Sequence, residues 1–212
     1  MHLPNQRQQL IDTARRMNDL GINQGCAGNL SFRTGAHFII TPSGMHYDEM
    51  QADDLVEVSI STGKVVGGGR PSTEWRFHRD ILASRNDIDV VLHAHPVFCT
   101  AVACQQREIP AFHYMVAAAG GKRIRCADYA LFGTQQLSSY VLEALGRRRA
   151  CLMANHGLIT LGNNLQSALN LAVEVETLAA QYIRVLQMGE PILLSDAQMD
   201  DVIEAFSGYG SG

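Results

Sequence analysis

His93 and His95 stand two residues apart at the end of an apolar run, with Pro96 directly after them. In a strand, residues i and i+2 project from one face with alpha carbons about 6 to 7 Å apart. Two imidazoles so placed can converge on one ion at the zinc–nitrogen distance of about 2.0 to 2.1 Å. A lone buried histidine is more often a hydrogen-bonded core residue, and the spacing by itself leaves the pair open to either reading. His156, between Asn155 and Gly157 in a second strand-terminal turn, is a candidate third ligand. Three imidazoles leave one coordination position free, as in catalytic rather than structural zinc sites.

Glu74 is the leading carboxylate, because it follows Pro71-Ser72-Thr73 where a helix is expected to start. A cap or a partner for the helix dipole is an equally good reading of an acidic residue there. His78 lies four residues on, on the same helix face. An i, i+4 metal pair with Glu74 is conceivable, but another trio already satisfies the metal, so His78 is expected to be packed. Gly28-Asn29, Ser43-Gly44 and Ser72-Thr73 are small polar elements that offer amides or hydroxyls to an anion. Each taken singly reads equally as an ordinary turn or cap.

These residues need elements to hold them. Arg7 to Leu20 has apolar residues three or four apart and Gly21 where a helix would stop. Leu30 to Arg33 and His37 to Thr41 read as paired short strands, and Leu55 to Ile60 with Lys64 to Val66 as a hairpin. A helix is expected from the Glu74 segment to about Ser84. Ile88 to Leu92 reads as a buried strand that continues through the histidines until Pro96 interrupts the ladder. Ala150 to Ala154 and Leu158 to Leu161 are further strands. Helices are expected over Gln135 to Gly146, Leu165 to Met188 and Asp196 to Phe206. Strands in hairpins, with helices interspersed, predict an α/β chain: a mixed, mostly antiparallel central sheet covered by helices on both faces.

At 212 residues, 46% hydrophobic and 18% charged, the chain reads as one domain that needs no metal or disulfide to fold. A metal would therefore serve chemistry. The net charge of -4 and the lack of a long basic run argue against nucleic acid. Arg147, Arg148 and Arg149 read as a solvated helix C-terminus. No apolar run is long enough to suggest a membrane partner or a secretory leader, so a cytoplasmic location is expected. Five cysteines without a C-x-x-C pair read as reduced thiols.

The motifs taken in order resemble the class II aldolase/adducin family. They are Asn23-Gln24-Gly25-Cys26-Ala27-Gly28-Asn29-Leu30-Ser31, Thr41-Pro42-Ser43-Gly44, Pro71-Ser72-Thr73-Glu74, His93-Ala94-His95 and Asn155-His156-Gly157. Glu74-Trp75-Arg76-Phe77-His78, His113-Tyr114-Met115-Val116 and Phe132-Gly133-Thr134 are most similar to the L-fuculose-1-phosphate aldolase branch. The resemblance covers essentially the whole chain and implies one domain over residues 1–212. It also implies one zinc ion per subunit on His93, His95 and His156, with Glu74 a fourth ligand at rest that swings away to act as acid and base. Gly28, Asn29, Ser43, Gly44, Ser72 and Thr73 match the family's phosphate-binding positions, Thr73 standing where a serine is usual. Tyr114 matches a tyrosine that transfers a proton at the aldehyde-forming hydroxyl, and Tyr209 a C-terminal tyrosine that closes the site. The family's four-fold homotetramers carry active sites between subunits, so both tyrosines are expected to serve a neighbour.

The implied reaction is reversible cleavage of a phosphorylated sugar, a ketose 1-phosphate, to dihydroxyacetone phosphate and an aldehyde. L-fuculose 1-phosphate, giving L-lactaldehyde, is the first expectation. The rival is 5-deoxyribulose or 5-methylthioribulose 1-phosphate. Pentulose-phosphate epimerases, dehydratases and the non-enzymatic adducin head match the Glu74, Tyr114 and histidine segments less well.

Overall fold

The computed structural model describes residues 3–208. Its centre is one eight-stranded sheet made of β1 (Asn29–Thr34), β2 (His37–Ile40), β3 (Val56–Ser59), β4 (Val65–Gly67), β5 (Val90–Ala94), β6 (Cys126–Ala127), β7 (Ala150–Met153) and β8 (Gly157–Gly162). The strand order is β4-β3-β2-β1-β5-β8-β7-β6. Every pairing is antiparallel except β6 with β7. The mixed, mostly antiparallel sheet expected from the hairpin pattern is therefore what forms.

Helices α1 (Leu3–Asp19), α3 (Val97–Cys104) and α5 (Leu165–Met188) cover one face, and α2 (Trp75–Ser84) and α4 (Gln135–Leu145) the other. Two apolar clusters record this division. Leu10, Ile11, Leu30, Phe32, Leu92, Cys99 and Leu169 belong to the first. Phe77, Ile81, Val91, Val141, Cys151 and Ile159 belong to the second. The period-two alternation of a strand sorts them: Leu30 and Phe32 turn toward α1 and α5, while Asn29 and Ser31 turn toward α2. A sixth helix, α6 (Asp196–Gly208), follows α5. Among the described residues no helix is long and apolar enough to cross a membrane.

Several elements depart from expectation, among them β6, which the sequence pattern did not mark. The first helix starts at Leu3 rather than Arg7. The strand bearing the histidine pair ends at Ala94, so His95 lies one residue beyond it. Past Pro96 the chain enters α3, whose sequence Val-Phe-Cys-Thr-Ala-Val-Ala-Cys is apolar on nearly every side and carries no 3.6-residue rhythm to read.

α3 is tied down by a single acidic side chain. The backbone amides of Phe98 and Cys99 donate to the two carboxylate oxygens of Glu176 on α5, each at 2.8 Å. These are first-turn amides with no partner inside the helix. Glu176→Ala is therefore expected to cost about 1–3 kcal/mol of unfolding free energy, read as a lowered urea midpoint at unchanged m-value. An unchanged midpoint would show that the two amides are served by water.

Candidate metal centre and anion cradle

β1, β5 and β8 lie side by side in the middle of the sheet, with Asn29 opposite His93 and His93 opposite Ile159. His93, fully buried, places Nδ1 2.9 Å from the Leu158 carbonyl. A carbonyl oxygen only accepts, so the hydrogen is on Nδ1 and the Nε2 lone pair faces away from β8. His95 brings its Nε2 to 3.0 Å from that atom. His156 comes from the β7–β8 turn, where Asn155 sits in the left-handed region (φ 54°). The Asn155 amide donates to the Ala103 carbonyl of α3, and the Gln106 side chain donates to Asn155 Oδ1. The ligand atoms of the three histidines all lie within 4.8 Å of one another.

Glu74 completes the group. It occupies the N-cap of α2, yet its side chain makes no capping hydrogen bond, which removes the capping reading left open by the sequence. Oε2 instead lies 3.2 Å from His93 Nε2 and accepts from Asn29 Nδ2 at 3.0 Å. Oε1 lies 3.3 Å from His156 Nε2 and, although buried, has no hydrogen-bond partner. Leaving a buried carboxylate oxygen unsatisfied costs about 1–3 kcal/mol or more, and a cation among the histidines would supply the missing partner.

The electrostatics point the same way. Burial, reinforced by the charge at His93 and opposed by Glu74, lowers His95 to about 4 and His156 to about 3. Both are neutral imidazoles near pH 7, the form that binds metal. Burial pushes the Glu74 carboxyl up, but the neighbouring His93 and His156 and the Asn29 amide outweigh it. They hold Glu74 below the usual carboxylate range. One ionised carboxylate thus faces three nitrogen donors, a set that fits one divalent metal ion.

A cavity of about 410 Å³ opens beside this group. Gly28, Asn29, Ser43, Gly44, Ser72 and Thr73 all line it, together with Glu74, His95 and His156. The three small polar turns, distant in sequence, meet at one wall. Gly28 is required there on two counts: its φ is +72°, and a Cβ would stand 2.6 Å from the His93 carbonyl. His78 is packed, as expected, and lies behind Asn29 rather than in the metal group.

Tyr114 does not line the cavity. It is 49% exposed on the 3-10 helix Tyr114–Ala119, against the rings of His113 and Phe206. Tyr209 lies outside the described residues. Tyr129 and Phe132, exposed on the loop before α4, do line the cavity, and reading the spacing gave neither a role. Asn23 and Tyr47 were missed as well. Asn23 donates to the Ala27 carbonyl and accepts from the His95 amide, and the Tyr47 hydroxyl donates to the same Ala27 carbonyl. They brace the Gly25–Gly28 turn from beneath, and no residue-type signal marks that task.

The family model for the class II aldolase and adducin N-terminal domain matches residues 8–183. A 5-methylthioribulose-1-phosphate/5-deoxyribulose-1-phosphate aldolase of Rhodospirillum rubrum is 51% identical over 204 residues, covering 96% of this chain and 92% of that one. The L-fuculose phosphate aldolase of Escherichia coli is 47% identical over 204 residues, with 96% and 94% covered. A solved L-fuculose 1-phosphate aldolase superposes with a TM-score of 0.92 at 38% identity, over 96% of each chain. A histidine group that could hold a metal ion and these likenesses agree: the protein belongs to the class II aldolase and adducin family, whose aldolases are metal-dependent, and is itself a lyase.

Proposed function

We propose that the protein reversibly cleaves a ketose 1-phosphate to dihydroxyacetone phosphate and an aldehyde, with a zinc ion on His93, His95, His156 and, at rest, Glu74. The observation that carries this reading is that Glu74, His95 and His156 of the histidine–carboxylate group line one cavity together with six anion-competent residues. Tetrahedral zinc with bonds of about 2.0–2.1 Å sets adjacent donors about 3.3–3.4 Å apart. Three of the donor separations are 3.0, 3.2 and 3.3 Å. When bound, the ion supplies a Lewis acid against the negative charge that develops on the ketose oxygens as the C3–C4 bond breaks.

Gly28, Asn29, Ser43, Gly44, Ser72 and Thr73 anchor the phosphate, so binding energy from the unreactive end orients the reacting bond. Glu74 gives a proton to C3 of the dihydroxyacetone phosphate half in cleavage and removes it in synthesis. Tyr114 exchanges the proton on the C4 oxygen, and Tyr209 closes over the aldehyde. Residues 1–212 act as one domain, and Tyr114 and Tyr209 reach the cavity of a neighbouring subunit in a homotetramer. The exposed Tyr114, absent from the lining of its own chain's cavity, supports this.

The two substrate readings share the phosphate half and differ only in the aldehyde. The Escherichia coli relative and the solved structure favour L-fuculose 1-phosphate. The greater identity to the Rhodospirillum rubrum enzyme favours 5-deoxyribulose or 5-methylthioribulose 1-phosphate. The sugar phosphates are to be compared by kcat/KM, with coupled detection of dihydroxyacetone phosphate. The highest ratio identifies the substrate, and no dihydroxyacetone phosphate from any of them defeats the proposal.

A mixing experiment tests the shared site. Glu74→Gln and Tyr114→Phe proteins, each nearly inactive alone, are expected to regain activity when dissociated and reassembled together, because some mixed sites then carry both intact side chains. No gain over the separate proteins would place Tyr114 with its own chain's metal or outside the reaction.

A further inference from the structure

A buried polar chain runs from β1 through α2 and back to the metal group. The Ser31 hydroxyl lies 2.7 Å from His78 Nδ1, His78 Nε2 2.5 Å from Asn29 Oδ1, and Asn29 Nδ2 3.0 Å from Glu74 Oε2. Ser31 and His78 are fully excluded from solvent and Asn29 nearly so. The direction of every bond follows from the last acceptor. An ionised carboxylate only accepts, so Asn29 must present its NH2 group to Glu74. Its carbonyl oxygen then faces His78, which must donate from Nε2. That leaves His78 Nδ1 as an acceptor, and the Ser31 hydroxyl supplies the hydrogen.

We propose that His78 and Ser31 are positioning residues which, by fixing the orientation of the Asn29 carboxamide, determine how the Glu74 carboxylate is held against the histidines. Were His78 protonated on Nδ1 instead, its bare Nε2 would draw the Asn29 NH2 group and turn the carbonyl oxygen onto Glu74. The carboxylate would then be repelled at the same distance. The chain is not a proton relay, because a carboxamide cannot pass a proton along without becoming its imidic acid. Its effect is geometric and electrostatic. Asn29 also lines the cavity wall, so the orientation of Glu74 and the shape of the anion cradle are set by one side chain. This inference rests on the role proposed for Glu74.

The test compares His78→Leu, His78→Gln and Ser31→Ala with the full-length wild-type protein. Gln places an amide nitrogen where His78 has Nε2 and keeps the donor to Asn29, whereas Leu removes it. His78→Leu is expected to lower kcat about 10–100-fold, with zinc content retained and KM for the ketose phosphate raised as well, because Asn29 also lines the anion cradle. His78→Gln recovers most of the loss, and Ser31→Ala gives a smaller loss in the same direction. In cobalt-substituted protein, the visible spectrum of His78→Leu shifts while that of His78→Gln matches wild type. Equal losses in Leu and Gln, or an unshifted Leu spectrum, would overturn the inference.

Two controls keep it decidable. Long-range proton–nitrogen correlation spectra of the wild type, recorded without metal, read the His78 tautomer directly. A hydrogen on Nε2 is expected, and one on Nδ1 overturns the inference even if His78→Leu fails to fold. Failure of cobalt to bind wild type would instead defeat the metal reading, and the tautomer would still be scored.

Discussion

Glu74→Gln lowers kcat for ketose 1-phosphate cleavage by about 10²–10⁴-fold, the range for loss of a general acid–base group, while the protein keeps its fold. The substitution is nearly isosteric, and the new amide finds partners. Its oxygen, at the Oε2 position, takes the hydrogen bond from Asn29 Nδ2, and its NH2 group, at the Oε1 position, meets Nε2 of His156. What is lost is the negative charge and the ability to take up a proton. Metal affinity therefore falls as well, because one anionic donor is replaced by a neutral one beside three imidazoles. The two losses are separated by measuring turnover at saturating metal and metal content by elemental analysis. Undiminished turnover in a metal-loaded variant would remove Glu74 from the proton transfer at C3. A folded variant that holds no metal at all would reassign it to ligation first.

The histidine pair was legible because a strand repeats every two residues. The distance from that pair to His156 was not, since it depends on β8 pairing antiparallel with β5 and carrying the β7–β8 turn to the same end of the sheet. Glu74 shows the same limit from another side. A carboxylate at the start of a helix has two readings, and the choice is made by where α2 lies. Phe77, Ile81 and Leu82 bury against the sheet face that bears His93, and this aims the first turn of α2 at the histidines. The Ser31–His78–Asn29 chain was hidden for a related reason. Asn29 and Ser31 share a strand face by period two, but their partner is more than 40 residues away on another element. α3 carried no amphipathic rhythm because Val97, Ala101 and Cys104 on its exposed face are as apolar as the buried Cys99, Val102 and Ala103. The six cradle residues were recognisable as three separate turns by composition, and only tertiary packing makes one wall of them.

Gly157 gives the second large effect, and it acts through space rather than through backbone conformation. A Cβ on residue 157 would stand 2.5 Å from the Ala94 carbonyl oxygen and 2.8 Å from Cδ2 of His95. The first neighbour is backbone of the central strand, paired to β8 through Ala94 and Leu158. It cannot rotate away. The second is the ring of a metal-ligating candidate, and pushing it aside moves its Nε2 off the 3.0 Å approach to His93. Gly157→Ala is therefore expected to destabilise the protein by about 1–3 kcal/mol through overpacking. It is also expected to weaken metal binding about 10–100-fold, as changes that misorient a ligand do. Urea denaturation measures the first and competition with a chromophoric chelator the second. A variant that loses stability while binding metal normally would mean that β8 yields as a strand and leaves His95 in place. A variant unaffected in both would contradict the close approach of β5 and β8 at the very point where His95 and His156 are brought together.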